Sequence, residues 1–158
     1  MGVSAMHCFY YQTPHGPVTI AATEKGICGV YFGKQQLNAK ASPTMLTNHA
    51  ATQIQEYFAG KRFVFDLPLD LKGSEFQKAV WERVMRIPYG YTNTTAEIAR
   101  AIGHDNAHRS VGAAIAKNEA AILVPTHRVV SAAGTALGSG NQAKINQGLL
   151  AMEKLYMP

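Results

Sequence analysis

Cysteine is scarce in this chain of 158 residues, and it is confined to the beginning. Cys8 and Cys28 are the only two, and they form no CxxC pair. A disulfide scaffold is therefore not indicated, and a reducing, cytosolic location is the simplest expectation. No cysteine follows residue 28, so the second half of the chain offers no thiol for chemistry.

Long hydrophobic runs are also absent. No stretch reaches about 18 apolar residues, which predicts that no segment spans a membrane. Residues 1–5 carry no charged side chain and are too few to begin a signal peptide. They weakly match a myristoylation signal, and we interpret them as residues added ahead of a native start at Met6. With 47% hydrophobic and 16% charged residues, the chain has the composition of one packed domain or two small ones.

Acidic residues are outnumbered, mainly in the second half. Ten Asp and Glu stand against fifteen Lys and Arg, a formal net charge of +5. Residues 1–70 hold five basic and four acidic side chains (+1), and residues 71–158 hold ten and six (+4). This balance permits nucleic acid as a partner without requiring it.

Residues 1–70 have the pattern of a small α/β domain. Turns with Gly and Pro separate three β-rich runs, at residues 9–11, 18–21 and 27–32. That pattern predicts an antiparallel meander. Apolar residues at helical spacing predict a helix over residues 44–58 that stops at Gly60. The alternation from Phe63 to Leu67 predicts one more strand.

Residues 71–158 carry helical signals instead. Two capping boxes predict helix starts, Ser74 with Gln77 and Thr94 with Glu97. Gly103 ends the second of these helices, and we expect Asp105 or Asn106 to cap the next one, which runs to about Lys117. Two short helices joined by a turn are typical of a helix-turn-helix, whose second helix enters a DNA groove. An ordinary pair of packed helices fits the same pattern.

The second helix of this pair has side chains suited to DNA. It carries the basic residues His108, Arg109 and Lys117 among several small ones. Small side chains let a backbone come close to DNA, and basic side chains reach its phosphates. Together with the charge distribution, this favours DNA binding.

An apolar run at residues 120–124 leads into the polar cluster 126–128. We expect a buried strand that delivers these polar side chains into a pocket. A Gly-rich loop over residues 131–140 and a final helix over residues 142–155 follow.

Several blocks along the chain form one collinear pattern. They are Phe-Gln-x-x-Val-Trp at 76–81, Ile-Pro-Tyr-Gly at 87–90, Glu-Ile-Ala at 97–99, Arg-Ser-Val-Gly-Ala-Ala at 109–114, Asn118, Ile-Leu-Val-Pro-x-His-Arg-Val-Val at 122–130 and Leu-Leu-x-x-Glu at 149–153. In this order they resemble the O6-alkylguanine-DNA alkyltransferases, whose central signature normally reads Pro-Cys-His-Arg-Val. The resemblance covers nearly the whole chain.

The resemblance implies two domains. Residues 1–70 would form an α/β domain that is ribonuclease H-like, with a small antiparallel sheet. Residues 71–158 would form a mainly α domain with a winged-helix-like helix-turn-helix. We expect a monomer in the bacterial cytosol or nucleoid that binds double-stranded DNA without a cofactor.

The resemblance also implies a mode of DNA binding. The family enters the minor groove, flips the damaged guanine into a pocket and inserts an arginine, here Arg109, into the gap. Further DNA contacts are expected from Thr94, Thr95, Ala107, Ser110, Ala113, Lys117 and Arg128. The base pocket is expected at Pro125, Val130, Ser139 and Gly140.

The implied chemistry is one transfer of an alkyl group to a cysteine thiolate. His127, oriented by Glu153, matches the histidine that takes the thiol proton through water. Asn118 matches a residue that braces the active-site turn, and a structural role is open for Arg128 as well. Thr126 stands where the family has its cysteine. Because a hydroxyl is a far weaker nucleophile and a β-branched side chain crowds the attack, we expect no alkyl transfer.

Further departures accompany Thr126. Thr95 replaces a tyrosine that helps to rotate the target phosphate, Ser139 replaces a tyrosine of the pocket loop, and Glu119 replaces a proline. The two lost tyrosines imply a larger or less enclosed base pocket. Three independent losses favour natural divergence over an engineered replacement of the cysteine.

A metal site is not expected. Some family members bind zinc, and four candidate ligands lie in the corresponding region, His7, Cys8, His15 and Cys28. Their spacing does not match the family's ligands. A buried cysteine and surface histidines are the preferred interpretation.

Three hypotheses remain open. The leading one is an inactive homologue that binds DNA, including alkylated guanine, as a damage sensor, with nucleotide excision repair proteins as candidate partners. The alkyltransferase-like proteins, which carry Trp in place of the cysteine, work in this way. The first alternative is an active methyltransferase whose native cysteine at position 126 was replaced. The second alternative is a protein-interaction module that has lost DNA binding.

Overall fold

The protein divides into two compact units in a computed structural model that describes residues 5–158. We call them the sheet unit, residues 5–72 with Glu119–Leu123, and the helical unit, Gly73–Asn118 with Val124–Pro158. The myristoylation-like start, apart from residue 5, lies outside the described residues. No helix within residues 5–158 has both the length and the apolar character that a membrane crossing requires.

The sheet unit is built on four strands in the order β3-β2-β1-β4. They are β1 (His7–Thr13), β2 (Gly16–Ala22), β3 (Ile27–Phe32) and β4 (Lys40–Ala41). The first three strands pair antiparallel, which confirms the predicted meander, and the two-residue β4 pairs in parallel with β1. The β1–β2 turn is tight because Gly16 has a φ of +98°, which glycine adopts without strain.

One helix, α1 (Met45–Phe58), packs against this sheet. Its capping box joins Thr44 and Thr47, whose side chains each accept from the other's backbone N–H. The buried face has the spacing predicted from the sequence, with Ala50, Ile54 and Phe58 inward. Gly60, with a φ of +74°, follows the helix as predicted.

Residues 63–67 belong to the described part of the chain but form no strand, so that prediction is wrong. Half-buried and exposed side chains do alternate there. The backbone, however, pairs with a side chain in place of a neighbouring strand. Gln53 of α1 donates through Nε2 to the Asp66 carbonyl (3.3 Å), and its Oε1 accepts from the Asp66 N–H (3.0 Å). One glutamine amide thus makes both hydrogen bonds that a strand would have supplied.

The helical unit, within the described residues, contains four α-helices and a small sheet. The helices are α2 (Glu75–Val84), α3 (Thr95–Ala101), α4 (His108–Ala116) and α5 (Gly140–Tyr156). β5 (Asn93–Thr94) pairs in parallel with β6 (Val129–Val130). Both predicted capping boxes are present, at Ser74 and Thr94. Trp81 anchors the packing of α2 on α4, since its indole N–H donates to the Ala114 carbonyl at 2.9 Å. The predicted fold class is confirmed.

The start of α4 differs from the sequence expectation. Neither Asp105 nor Asn106 caps it: Ala107 holds the cap position, and no side chain among residues 5–158 makes a capping hydrogen bond there. The Ala107 N–H donates to the His104 carbonyl at 2.9 Å. This tight turn places both polar residues ahead of the cap position. The last helix also starts two residues earlier than predicted, at Gly140.

The predicted strand over residues 120–124 is wrong as well, although most of its side chains are buried. An isolated bridge pairs Ala120 with Val30 of β3, and the chain then turns. Ile122 has a φ of +73°, a left-handed conformation that is strained for a β-branched residue. The segment Glu119–Leu123 belongs to the sheet unit, and the helical unit resumes at Val124.

Candidate functional site

A buried carboxylate lies at the centre of the helical unit. Glu153 of α5 is fully buried and accepts hydrogen bonds from three groups. Its Oε1 accepts from the Gly90 N–H (3.0 Å) and from Nε of Arg128 (2.9 Å). Its Oε2 accepts from Nη2 of Arg128 (3.0 Å) and lies 2.6 Å from Nε2 of His127. A buried charge is tolerated only when it is paired and hydrogen-bonded in this way.

Arg128 is held inside the same cluster. It is 6% exposed, and besides Glu153 it donates through Nη1 to the Ile87 carbonyl at 2.8 Å. Its guanidinium also lies 5.6 Å from the ring centroid of Tyr89. These contacts engage the Arg128 charge in the interior, and the DNA contact expected of Arg128 stays a prediction. They favour the structural role that the sequence left open.

His127 is buried beside Glu153. Burial lowers the pKa of its imidazole, although the Glu153 carboxylate acts in the opposite direction. A neutral imidazole then donates from Nε2 to Glu153, which leaves Nδ1 as the acceptor nitrogen. The neighbouring Tyr89 phenol has its pKa raised, chiefly by burial and further by the charge of Glu153. The cluster therefore keeps one negative charge, one positive charge and a neutral histidine.

Thr126 begins a single 3-10 turn, Thr126–Arg128, which places consecutive side chains in different directions. Asn118 holds this turn from the end of α4. Its Nδ2 donates to the Val124 carbonyl and to the Thr126 hydroxyl oxygen, each at 3.1 Å. The four predicted residues thus form two hydrogen-bonded pairs at this turn. Asn118 binds Thr126, and the buried His127 binds Glu153.

The predicted DNA-contacting residues lie mostly on one exposed helix face. Val111, Ala114 and Ile115 of α4 are buried. The opposite face exposes the predicted contacts Arg109, Ser110 and Ala113, with Lys117 just past the helix end and half-buried Ala107 before its start. On α3, the hydroxyl of Thr94 accepts from the Glu97 N–H as a cap, and Thr95 is half-buried.

The four residues expected around the base pocket fall into two pairs. Pro125 and Val130 are buried on either side of the 3-10 turn. Ser139 and Gly140 are exposed where α5 begins. Asn146 braces this exposed loop, since its Nδ2 donates to the Leu137 carbonyl at 3.0 Å.

The candidate zinc ligands have other surroundings. His7 is hydrogen-bonded to the Ser42 hydroxyl at 3.1 Å, and His15 packs against the ring of Phe58. Cys8 is buried and Cys28 is half-buried, each within a strand of the sheet unit. Among residues 5–158, no three His, Cys, Asp or Glu side chains come together as metal ligands.

Sequence reasoning missed the turn that completes the buried cluster. The Ile87 carbonyl and the Gly90 N–H bind Arg128 and Glu153, and Tyr89 covers the guanidinium. The Ile-Pro-Tyr-Gly block was a signal for this role. Position 90 favours glycine for two reasons. Its φ of +84° suits glycine, and a Cβ added there would contact the side chain of Met157.

Comparison with known proteins places these features in one family. The model of the 6-O-methylguanine DNA methyltransferase ribonuclease-like domain matches residues 6–71, and that of the DNA binding domain of the same enzyme matches residues 75–155. The methylated-DNA–protein-cysteine methyltransferase of Methanosarcina acetivorans is 38% identical over 153 residues, 94% of this chain and 98% of the relative. The constitutive enzyme of Bacillus subtilis is 37% identical over 153 residues, 91% of this chain and 93% of the relative.

Solved structures agree with the family models. Mycobacterium tuberculosis OGT in complex with DNA is 35% identical, with a TM-score of 0.87 over 96% of this chain and 95% of that one. The M. tuberculosis O6-methylguanine methyltransferase has a TM-score of 0.88 at the same identity, over 97% of this chain and 95% of that one. The chain belongs to the 6-O-methylguanine DNA methyltransferase family of DNA repair proteins.

Proposed function

We propose that this protein binds double-stranded DNA that carries O6-alkylguanine but does not transfer the alkyl group to itself. The observation that carries the proposal is Thr126, at the position where the family has its nucleophilic cysteine. A threonine hydroxyl does not ionise near neutral pH, so it lacks the thiolate on which the transfer depends. Cys8 and Cys28 belong to strands of the sheet unit and are not offered by the 3-10 turn.

The exposed face of α4 supports the DNA-binding part of the proposal. Arg109 is exposed, and small side chains lie beside it on the same helix. An arginine with small neighbours suits insertion into a duplex, because the backbone can approach the groove closely. The similarity to M. tuberculosis OGT, whose structure was solved in complex with DNA, supports the same mode.

A gel-shift titration tests both parts of the binding proposal. Duplexes with and without one O6-methylguanine are compared at fixed salt, because phosphate contacts make affinity salt-dependent. We expect tighter binding to the methylated duplex. Equal affinity for both duplexes would reject lesion sensing. No binding to either would favour a protein-interaction module that has lost DNA affinity.

Arg109→Ala is the variant that tests the inserted arginine, and Lys154→Ala is its matched control. Both changes remove one exposed positive charge from the helical unit, but Lys154 lies on α5. We expect Arg109→Ala to weaken binding to the methylated duplex about tenfold or more, and Lys154→Ala to change it much less. Equal losses in the two variants would reduce Arg109 to a general electrostatic contribution.

The absence of alkyl transfer is tested with a duplex that carries a radiolabelled methyl group on O6. We expect no label on the protein after incubation, and stoichiometric label would overturn this part of the proposal.

The intact hydrogen bonds of Asn118, His127 and Glu153 favour a second candidate, an active methyltransferase in which the native residue at 126 is cysteine. Sequencing codon 126 of the source gene decides this point. A Thr126→Cys variant shows whether the surrounding residues still support transfer.

A further inference from the structure

The orientation of the Asn118 amide decides how the Thr126 hydroxyl is used. The Val124 carbonyl can only accept a hydrogen bond, so the amide end 3.1 Å from it must be the NH2 group. The same NH2 group lies 3.1 Å from the Thr126 hydroxyl oxygen. Thr126 is therefore the acceptor in this pair, and its own proton points elsewhere.

The Thr126 proton is a donor that the described structure does not engage. Within residues 5–158, the hydroxyl takes part in the bond from Asn118 and donates to no carbonyl, carboxylate or ring nitrogen. Thr126 is only half-buried, whereas His127 and Arg128 of the same turn are buried. The donor is thus directed by Asn118 and accessible from outside the turn.

We propose that the Thr126 hydroxyl selects lesions whose alkyl group carries a hydrogen-bond acceptor, such as a hydroxyl or a carboxylate, over plain alkyl groups of the same size. The inference rests on the proposed function, in which the lesion occupies the site where relatives attack its alkyl carbon. An attacking atom lies about 3–3.5 Å from that carbon. An oxygen one or two bonds further along the alkyl group is then within reach of the hydroxyl proton. The cysteine-to-threonine change thus replaces a nucleophile by a hydrogen-bond donor.

Two matched pairs test this contact. The ligands are duplexes with O6-(2-hydroxyethyl)guanine or O6-propylguanine, whose alkyl groups have the same number of heavy atoms. The proteins are the unaltered chain and its Thr126→Val variant, which keeps the shape and loses the hydroxyl. We expect the unaltered chain to bind the hydroxyethyl duplex about 3- to 10-fold more tightly than the propyl duplex, the range for one net hydrogen bond. In Thr126→Val the preference should disappear or reverse, because propyl has more apolar surface to bury.

The Thr126→Ser variant is the matched control, because it keeps the donor and should keep the preference. The inference would be overturned if the unaltered chain and Thr126→Val had the same ratio of hydroxyethyl to propyl affinity. It would also be overturned if the unaltered chain preferred the propyl duplex. The unaltered chain provides a test even if Thr126→Val fails to fold. Failure of the proposed function looks different, since the protein would then bind both alkylated duplexes no more tightly than an undamaged one.

Discussion

The two units bury polar side chains of different kinds. In the sheet unit the buried polar side chains are neutral, Thr19, Thr47 and Gln53. In the helical unit they include an ionisable cluster, His127, Arg128 and Glu153. The neutral side chains satisfy nearby backbone groups: the Thr19 hydroxyl, for example, donates to the Gly33 carbonyl (2.8 Å) and accepts from the Gln35 N–H (2.9 Å).

The two kinds of buried group differ in the free energy that their burial costs and in what they hold in place. A buried neutral group is offset by one or two ordinary hydrogen bonds. A buried ion pair loses several kcal/mol per ion in desolvation, which its partners only partly recover. The cluster joins α5 to the 3-10 turn and to residues 87–90, so it holds Thr126–Arg128 in place from two directions. We infer that the buried charges fix the position of the 3-10 turn.

The largest effect is expected from Glu153→Gln. The change leaves the Arg128 charge buried without its counter-charge, which costs about 3–5 kcal/mol of unfolding free energy. The chain has one tryptophan, Trp81, and it lies in the core of the helical unit, so its fluorescence in a urea titration follows this unit. The exposed Glu82→Gln is the control and should stay within about 0.5 kcal/mol. A similar small change for Glu153→Gln would refute the ion-pair account.

Gln53→Leu makes the corresponding change in the sheet unit. It removes both hydrogen bonds to the Asp66 backbone, but Asp66 is exposed and water replaces part of the loss. We expect the free energy of unfolding of the sheet unit to fall by about 1–2 kcal/mol. Native-state hydrogen exchange of β2 amides measures this loss. Exposed Gln55→Leu, also on α1, is the comparison variant. A loss as large as that of Glu153→Gln would contradict the distinction between neutral and charged burial.

The stability of the helical unit should depend on pH through its buried His127. In the folded chain burial holds the pKa of His127 below its unfolded value of about 6.5. The unfolded chain then binds more protons, so stability falls as the pH drops below about 6.5, with a slope of at most about 1.4 kcal/mol per pH unit. Urea titrations followed by Trp81 fluorescence between pH 8 and 5 measure the slope. His127→Gln should flatten it, and the exposed His49→Gln should not.

The smallest effects are expected where the units are alike. Each has a capping box, at Thr44 in the sheet unit and at Ser74 in the helical unit. Thr44→Ala and Ser74→Ala should each cost about 1 kcal/mol, because a cap satisfies local N–H groups regardless of the surrounding core. Hydrogen exchange within α1 and α2 compares them. Strongly unequal losses would mean that the units differ in more than their buried charges.

Local signals predicted most of the fold. The meander, the helix ended by Gly60 and the boxes at Ser74 and Thr94 depend on residues close in the chain, and the structure confirms them. The two wrong strands fail for a tertiary reason. Within residues 63–67, the Asp66 backbone obtains its hydrogen bonds from the Gln53 side chain. The run at 120–124 turns at Ile122.

The sequence by itself determined the family and the two-part architecture, because these are read from residue identity and order. It also predicts that Thr126 stands at the position of the family's nucleophile. Only the tertiary structure decided what the polar residues of the site do. It paired Arg128 with Glu153 in the interior, and it directed the Asn118 amide at Thr126. Hydrogen bonds between residues 8 to 63 positions apart depend on the packed core, and no local pattern specifies them.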